Sequence, residues 1–504
     1  MSRPARLGSA TLAYAGSELG ARAAWFAVVL ALGCLLPQRE FGAWSLLMAL
    51  AGLLEIGLTL GLHGPGTRWL YDRDEQSYGR VLFTLLLVWL AGSGLAVLAL
   101  DRLGSASFHH VVSDLAWLPH GRLTLGIAWL GAASALPLAM LAARQRVTRY
   151  AWLRAATVLG PAAGVLVALL LGRTSTQAVL SAQLLGAAPL AVLALAVGFS
   201  TSRPRLAWGE LRPMLIFGLP VLPHMMAQWI LSWSDRWLLE RLVGLEAVAV
   251  YHLAYLPGLG VLLLGGALNR AWYPVLYREL EALDQAEAQP GAPLFSAAAS
   301  PPTAPTTAVG RASWGKIEDQ ATAFLAATAA MGAGVALWSG ELLRALPARG
   351  YDASYDLVAF TVAGATCALL YLLPHNLLYH HRRTGRIPWL TAAAAGLNIA
   401  LNLALIPSLG ALGAALATVA AYGLLALMFW WAAGRVSRVP AGPRRLLGAL
   451  APGLVAVAVA MLLAVLDLPW FLRIGVELCT SLALAWALVR SGVAAQARRL
   501  FRAG

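Results

Sequence analysis

Long apolar segments alternate with short polar gaps along the whole chain. Fourteen such segments lie at 8–36, 41–62, 81–100, 123–143, 150–171, 178–199, 211–233, 245–267, 319–343, 355–378, 387–406, 411–433, 446–467 and 470–489. Each is close to the ~20 residues that an α-helix needs to cross a hydrocarbon core ~30 Å thick. The pattern predicts an all-α integral membrane protein with about 14 transmembrane helices.

The basic residues fall mainly in alternate gaps. Of the 37 Lys and Arg residues, 27 lie in or beside the two terminal tails and every second gap, whereas 9 belong to the other gaps. Loops rich in Arg and Lys are retained in the cytoplasm, so both termini are predicted to be cytoplasmic. The net charge of +14 comes from these loops and suits an anionic lipid surface. We therefore expect membrane lipids, and no nucleic acid, as partners.

A weak repeat divides the chain. A small residue, one spacer and an aromatic residue open both the second and the eighth segment, as Gly42 with Trp44 and as Ala249 with Tyr251. Six segments per repeat is an even number, so the repeats share one orientation, as in transporters built from parallel repeats related by a pseudo-twofold axis. The predicted domains are two six-helix bundles, then two extra helices with a basic tail: 1–206, 207–440 and 441–504.

The second bundle contains a low-complexity stretch. Residues 285–312 are rich in Pro, Ala, Ser and Thr. Such a composition buries too little apolar area to order itself. We predict a flexible cytoplasmic linker there.

Three charged residues lie inside apolar segments. Glu18 and Arg22 are spaced i,i+4 on the first helix, and Glu55 lies in the second. Charges at membrane depth are costly and usually face a bundle interior or a water-filled cavity. Two interpretations stay open: structural ion pairs, or a cavity wall in which Arg22 meets an anionic head group. In the second case Glu55 is a candidate for coupling transport to a proton or cation.

The seventh segment is interrupted near its start and ends in a charged pair. Pro220 and Pro223 remove backbone donors, which predicts a kinked or unwound helix. His224 beside them is a candidate for proton coupling, and the alternative is a hydrogen-bonded filler. Asp235 and Arg236 are predicted to lie near the outer end of the helix, either as a salt bridge that latches an outer gate or as a solvated pair.

Several short motifs resemble those of one transporter family. They are Gly218-Leu219-Pro220, Ser234-Asp235-Arg236, Asn269-Arg270-Ala271-Trp272-Tyr273-Pro274, the pair Asn398 and Asn402, and Gly410-Ala411-Leu412-Gly413-Ala414-Ala415. Together with the fourteen apolar segments, they resemble the Wzx-type oligosaccharide-lipid flippases. These belong to the multidrug/oligosaccharidyl-lipid/polysaccharide (MOP) exporter superfamily. The resemblance covers essentially the whole chain.

The resemblance implies a transporter and not an enzyme. Its cargo would be a polyprenyl-pyrophosphate-linked oligosaccharide, moved across the bacterial inner membrane by alternating access for surface or secreted polysaccharide, such as lipopolysaccharide O-antigen. The polymerase and assembly machinery of that pathway are implied partners. Because guanidinium groups bind phosphate, Arg22 and Arg270 are the candidate phosphate contacts, with Glu18 competing for them. Asn398 and Asn402 share a helix face and are candidates for hydrogen bonds to sugars or across a helix interface.

Other functions stay open. A cation-coupled multidrug exporter would need an acidic cavity, which Glu18 and Glu55 would supply, and a peptidoglycan lipid-precursor flippase would share the fold. A membrane glycosyltransferase or polymerase fits less well, because such enzymes usually carry sizeable outer loops with paired carboxylates. No catalytic residue, metal site or cofactor is expected. The near-P-loop at 310–317 has Ile317 where Ser or Thr would hold Mg²⁺.

Overall fold

The computed structural model describes residues 3–64, 67, 74–219, 221–287, 307–346, 350–437, 442–466 and 468–490. Within these residues the regular structure is helical and contains no strand. The helices are α1 (Arg3–Leu35), α2 (Gln38–Leu58), α3 (Glu75–Val111), α4 (Arg122–Ala143), α5 (Val147–Leu170), α6 (Thr176–Ser200), α7 (Trp208–Gly218), α8 (Val221–Leu242), α9 (Leu245–Glu287), α10 (Ala308–Arg344), α11 (Asp352–Leu370), α12 (Leu372–His380), α13 (Ile387–Leu409), α14 (Ala411–Gly434), α15 (Pro443–Val465) and α16 (Trp470–Arg490).

The helices confirm the multi-pass membrane architecture predicted from hydropathy. Thirteen helical stretches among the described residues are long and apolar enough to cross a bilayer, and Leu19–Leu35 in α1 is a shorter apolar stretch. Two predicted segments are each split into two helices. In the seventh, one helix ends at Gly218 and the next begins at Val221, with Pro220 outside the described residues, and the tenth separates at Tyr371.

The chain divides into two compact units, Met1–Leu253 and Ala254–Gly504. The division lies inside α9, whereas the repeat predicted a boundary at 206/207, and the repeat itself stays a prediction. The first unit therefore holds α1 to α8 with the start of α9, and the second unit holds the remainder.

Both ends of the predicted linker at 285–312 are helical. α9 continues to Glu287, and α10 begins at Ala308. Thr307 caps α10, because its side-chain oxygen accepts a hydrogen bond from the Gly310 amide at 2.9 Å. The middle of the predicted linker, residues 288–306, lies outside the described part of the chain.

Small residues allow the helices of the first unit to pack closely. α5 packs against α1 and α6, and α4 packs against α2 and α6. A Cβ atom on Gly160 would lie 2.7 Å from the Gly186 carbonyl oxygen, so α5 and α6 meet backbone to backbone. Gly42 likewise lies against the Leu245 carbonyl, which brings α2 to the start of α9.

The second unit uses close packing and a cluster of ion pairs. α10 packs against α11 and α15, with a Cβ on Gly453 only 2.6 Å from the Ala329 carbonyl carbon. Arg473 of α16 lies 3.3 Å from Glu341 of α10 and 3.5 Å from Asp356 of α11. These contacts join the last helix to the rest of its unit.

Candidate functional site

A cavity of about 340 Å³ lies inside the first unit, among α1, α2, α4, α5 and α6. Aliphatic side chains, Trp25, Pro161 and Gly131 form most of its wall. The charged and polar side chains that line it are Arg22, Glu55, Ser134, Arg154, Thr157 and Gln183. The cavity thus combines an apolar wall with a few converging polar groups, which is the usual composition of a ligand site.

The cavity contains two guanidinium groups and one carboxylate. Arg22 comes from α1, Arg154 from α5 and Glu55 from α2. Arg154 is near enough to Glu55 for its positive charge to attract the Glu55 carboxylate. With Glu55 ionised, the formal charge of the three groups is positive, and interactions between charges are stronger in such a low-dielectric site than in water. An anionic group that enters the cavity is therefore favoured over a cationic one.

Glycine at position 131 allows the Glu55 carboxylate to approach α4. A Cβ atom on Gly131 would lie 2.8 Å from Glu55 Oε2 and 2.9 Å from its carboxyl carbon. One turn further along α4, the Ser134 hydroxyl donates to the Gly131 carbonyl at 2.8 Å. The Ser134 oxygen keeps lone pairs that can accept a hydrogen bond from a ligand.

Aromatic rings support the polar side of the cavity. Trp44 Nε1 donates to Gln183 Oε1 at 3.2 Å, and the Gln183 amide donates to the Met48 sulfur at 3.2 Å. The rings of Trp25 and Trp44 lie 6.3 Å apart, centroid to centroid. Because Trp44 holds the amide, Gln183 is fixed in orientation beside the cavity.

The structure brings together two of the predicted site residues. Arg22 and Glu55, on different helices, both line the cavity. The backbone of Glu18 belongs to α1 and that of His224 to α8, but both side chains lie outside the described residues. Their predicted roles therefore stay predictions.

Asp235 and Arg236 are buried instead of solvated. Their exposed fractions are 2% and 0%, and Arg236 Nη1 lies 2.7 Å from Asp235 Oδ1. The Tyr251 hydroxyl donates to the other carboxylate oxygen at 2.6 Å. The guanidinium also lies over the Trp233 ring, 4.4 Å from its centroid. The alternative of a solvated pair is wrong, because both side chains are almost completely buried.

Arg270, Asn398 and Asn402 belong to the second unit and do not line this cavity. Arg270 is exposed on α9. Asn398 and Asn402 are almost fully buried, and the Asn402 amide donates to Asn398 Oδ1 at 3.0 Å. The two asparagines thus bond to each other along one helix face. Their contact with a cargo, like that of Arg270, stays a prediction.

Arg154 and Gln183 are the site residues that sequence reasoning missed. In the sequence, Arg154 follows closely on Arg144, Arg146 and Arg149 and looks like one more arginine of the loop before α5. It lies seven residues beyond Val147, the first residue of α5, and is therefore about 10 Å into the helix. The long apolar stretch that follows Arg154 in the sequence was the available signal that this arginine lies inside a membrane-spanning helix. Nothing in the sequence around Gln183 distinguishes it from other polar residues in the helices.

Comparison with known proteins agrees with this architecture. A family model described as polysaccharide biosynthesis protein matches residues 8–279. The fold is similar to that of the lipid II flippase MurJ in an inward closed conformation, with a TM-score of 0.66 and 13% identity over 93% of this chain and 98% of that chain. No curated protein sequence matches the chain significantly.

Two further solved structures have the same fold. A multidrug resistance MATE family transporter of the MOP superfamily, in an inward-facing conformation, has a TM-score of 0.60 and 14% identity over 82% of this chain and 94% of that chain. A MOP superfamily transporter from Pyrococcus furiosus has a TM-score of 0.55 and 13% identity over 85% of this chain and 95% of that chain. At these identities the likeness shows a shared fold, and the family model that matches residues 8–279 confirms the family resemblance that the motifs indicated.

Proposed function

The chain belongs to the polysaccharide biosynthesis protein family, and on that premise we propose that it flips a polyprenyl-pyrophosphate-linked oligosaccharide across the bacterial inner membrane. Both termini face the cytoplasm in this proposal, as the arginine distribution predicts. The cargo serves the assembly of surface or secreted polysaccharide. Transport proceeds by alternating access, with the lipid tail remaining in the bilayer.

The observation that carries the proposal is the pair of cavity arginines. Arg22 and Arg154 present two planar guanidinium groups within an apolar wall. A guanidinium group matches two phosphate oxygens at once, and such charge-assisted bonds are roughly twice as strong as neutral ones. A diphosphate has oxygens enough for both arginines. The site is therefore suited to the one part of the cargo that every lipid-linked sugar of this class shares.

The cavity size fits the diphosphate and the sugar next to it. A volume of about 340 Å³ lies at the lower end of the ~300–1,000 Å³ range of small-molecule sites. Ser134 and Thr157 both donate to backbone carbonyls, at 2.8 and 3.0 Å. Their oxygens can therefore accept hydrogen bonds from sugar hydroxyls. The remaining sugars and the polyprenyl chain lie outside the cavity.

Glu55 competes with the cargo for Arg154. Without cargo, the carboxylate offsets the positive charge of the cavity, which lowers the cost of keeping two guanidinium groups at membrane depth. A diphosphate carries more negative charge than one carboxylate and displaces it. An inside-negative potential drives negative charge outward, and each such charge moved out of the cell is stabilised by about 2.3 kcal/mol per 100 mV. The membrane potential therefore assists export.

Surface display of glycan tests the proposal in cells. Arg22→Ala and Arg154→Ala should each abolish display while the protein remains folded and in the membrane. Arg173→Ala is the matched control, because Arg173 is exposed in the turn between α5 and α6 and lies outside the cavity. Normal display by both cavity variants would refute the assignment of these arginines to the cargo.

A second candidate is a cation-coupled drug exporter, which one observation favours. Glu55 lines the cavity, and a buried carboxylate can bind a proton or an organic cation. In that case Glu55→Gln should abolish drug resistance, and the variants of Arg22 and Arg154 should retain it. Under the proposed function, Glu55→Gln should retain glycan display and the variants of Arg22 and Arg154 should abolish it.

A further inference from the structure

A second pocket lies at the end of the first unit where α4 ends, α5 begins and α6 ends. Its volume is about 420 Å³. Four arginines line it, together with three consecutive hydroxyl residues: Arg144, Arg146, Arg149, Arg203, Ser200, Thr201 and Ser202. We name it the basic pocket. It is separate from the cavity described above, with which it shares no lining residue.

The turn between α4 and α5 positions Arg144 and Arg146, and Arg149 follows in the first turn of α5. Gln145 adopts a left-handed conformation, with φ of 54°, which reverses the chain within three residues. The Arg146 amide donates to the Leu141 carbonyl at 3.0 Å. The Arg144 guanidinium lies over the ring of Tyr78, 5.1 Å from its centroid, and Tyr78 is fully buried. The turn is thus anchored at both ends.

Arg203 is positioned by α3. Its amide donates to the Gly79 carbonyl at 2.8 Å. Its side-chain stem packs on the same glycine, because a Cβ on Gly79 would lie 2.9 Å from Arg203 Cγ. The Thr201 hydroxyl contacts the Met140 sulfur at 3.2 Å, which joins the end of α6 to the end of α4. The walls of the basic pocket are therefore held together before any ligand binds.

The charge of the basic pocket is not neutralised by the described residues around it. Within the part of the chain that the structure describes, no ion pair joins Arg146, Arg149 or Arg203 to a carboxylate. The end of α12 differs, because His380 lies 3.0 Å from Asp284 there. Loop arginines that serve only to fix topology need not converge on one pocket. Convergence around empty volume, with no carboxylate of the described residues paired to these three arginines, indicates an anion site.

We propose that the basic pocket binds the phosphate group of a lipid presented at the arginine-rich membrane surface. Arginine forks and hydroxyl groups are the side chains that recognise phosphate oxygens. The phosphate can belong to an anionic membrane lipid or to the lipid-linked cargo before it enters the cavity. This proposal depends on the proposed function only if the phosphate belongs to the lipid-linked cargo.

The position of the basic pocket suits a waiting site. Leu141 lies seven residues beyond Ser134 on α4, and Ser200 lies nine residues beyond Ala191 on α6. At 1.5 Å per residue, the basic pocket is about 10–14 Å from the cavity along the same helices. A head group held there would have to move only about that distance to reach the cavity that Arg22 and Arg154 line.

Binding by the purified full-length protein tests this proposal without cargo. One arm measures inorganic pyrophosphate by calorimetry in detergent, and the other counts bound phosphatidylglycerol by native mass spectrometry. The test variant is R146Q/R149Q/R203Q. Its matched control is R382Q/R383Q/R386Q, which removes the same charge from exposed positions between α12 and α13.

The test variant should weaken at least one probe by about tenfold or more, as the loss of several arginines near a charged surface predicts, while the control changes little. Loss of phosphatidylglycerol binding alone identifies a lipid head group, and loss of both identifies phosphate in general. Equal weakening by both variants, or by neither, overturns the proposal. G79A displaces the Arg203 stem without removing charge, and it should weaken the same probe even if the triple variant fails to fold.

The proposed function can fail separately. R22Q/R154Q should leave phosphatidylglycerol binding at the basic pocket unchanged, because neither residue lines it. If glycan display survives loss of the cavity arginines while R146Q/R149Q/R203Q still loses its ligand, the transport proposal is wrong and the basic pocket stands.

Discussion

The buried pair of Asp235 and Arg236 gives a sharp prediction about stability. Asp235→Ala removes the carboxylate that lies 2.7 Å from Arg236 Nη1 and leaves the guanidinium in a site with 0% exposure. Removing one partner of a buried pair costs roughly 3–5 kcal/mol. Because that loss follows from burial, it should be present whether or not the pair also latches a gate.

The hydrogen bond from Tyr251 makes a second, smaller contribution to the free energy of unfolding. Its hydroxyl donates to Asp235 at 2.6 Å, and a hydrogen bond to a charged group contributes about 1.5–3 kcal/mol. Tyr251→Phe should therefore cost that amount. The double variant should cost less than the sum of the single ones, since the hydroxyl has already lost its acceptor in Asp235→Ala.

The measurement is the free energy of unfolding in mixed micelles titrated with SDS. Asp114→Ala is the matched control, because Asp114 pairs with Arg39 at 3.0 Å while both side chains are well exposed, at 39% and 56%. An exposed pair contributes about 0–1 kcal/mol. If Asp235→Ala cost no more than Asp114→Ala, the buried pair would not stabilise the first unit and the reasoning would be refuted.

Three further predictions concern the first unit. Glu55→Gln should tighten pyrophosphate binding at the cavity, measured by calorimetry, because it removes the group that competes for the arginines; weaker binding would contradict this role. Glu40→Ala should cost about 1–3 kcal/mol in the same unfolding titration, since Glu40 Oε2 accepts from both the amide and the hydroxyl of buried Thr176 at 2.6 Å, and Glu40→Gln should cost less. Gly160→Val should cost about 1–3 kcal/mol by forcing α5 away from Gly186, and unchanged stability would show that the two helices do not depend on this contact.

The membrane fold could be predicted because its cause is local. A helix in lipid must satisfy its own backbone hydrogen bonds, so hydropathy and length alone identify the spans. The end of α7 at Gly218, close to Pro220 and Pro223, was also predictable, because proline removes a backbone donor wherever it occurs. The division of the chain inside α9 was not, because it depends on which helices pack together in space.

The site was predictable only in part, for the same reason. Arg22 and Glu55 are charges within long apolar stretches and are conspicuous in the sequence. Arg154 was hidden because it follows loop arginines, and only the start of α5 shows that it lies at depth. Asn398 and Asn402 looked like ligand contacts, but i,i+4 spacing equally allows them to bond to each other along one helix.

The most direct test of the central claim is flipping of a polyprenyl-pyrophosphate-linked oligosaccharide in proteoliposomes. The wild-type protein should move the labelled cargo from one leaflet to the other. R22Q/R154Q should slow that movement by at least about a hundredfold, because two charge-assisted bonds of about 1.5–3 kcal/mol each are lost. Equal rates for the two proteins, or a wild-type protein that moves an organic cation and leaves this cargo in place, would contradict the account.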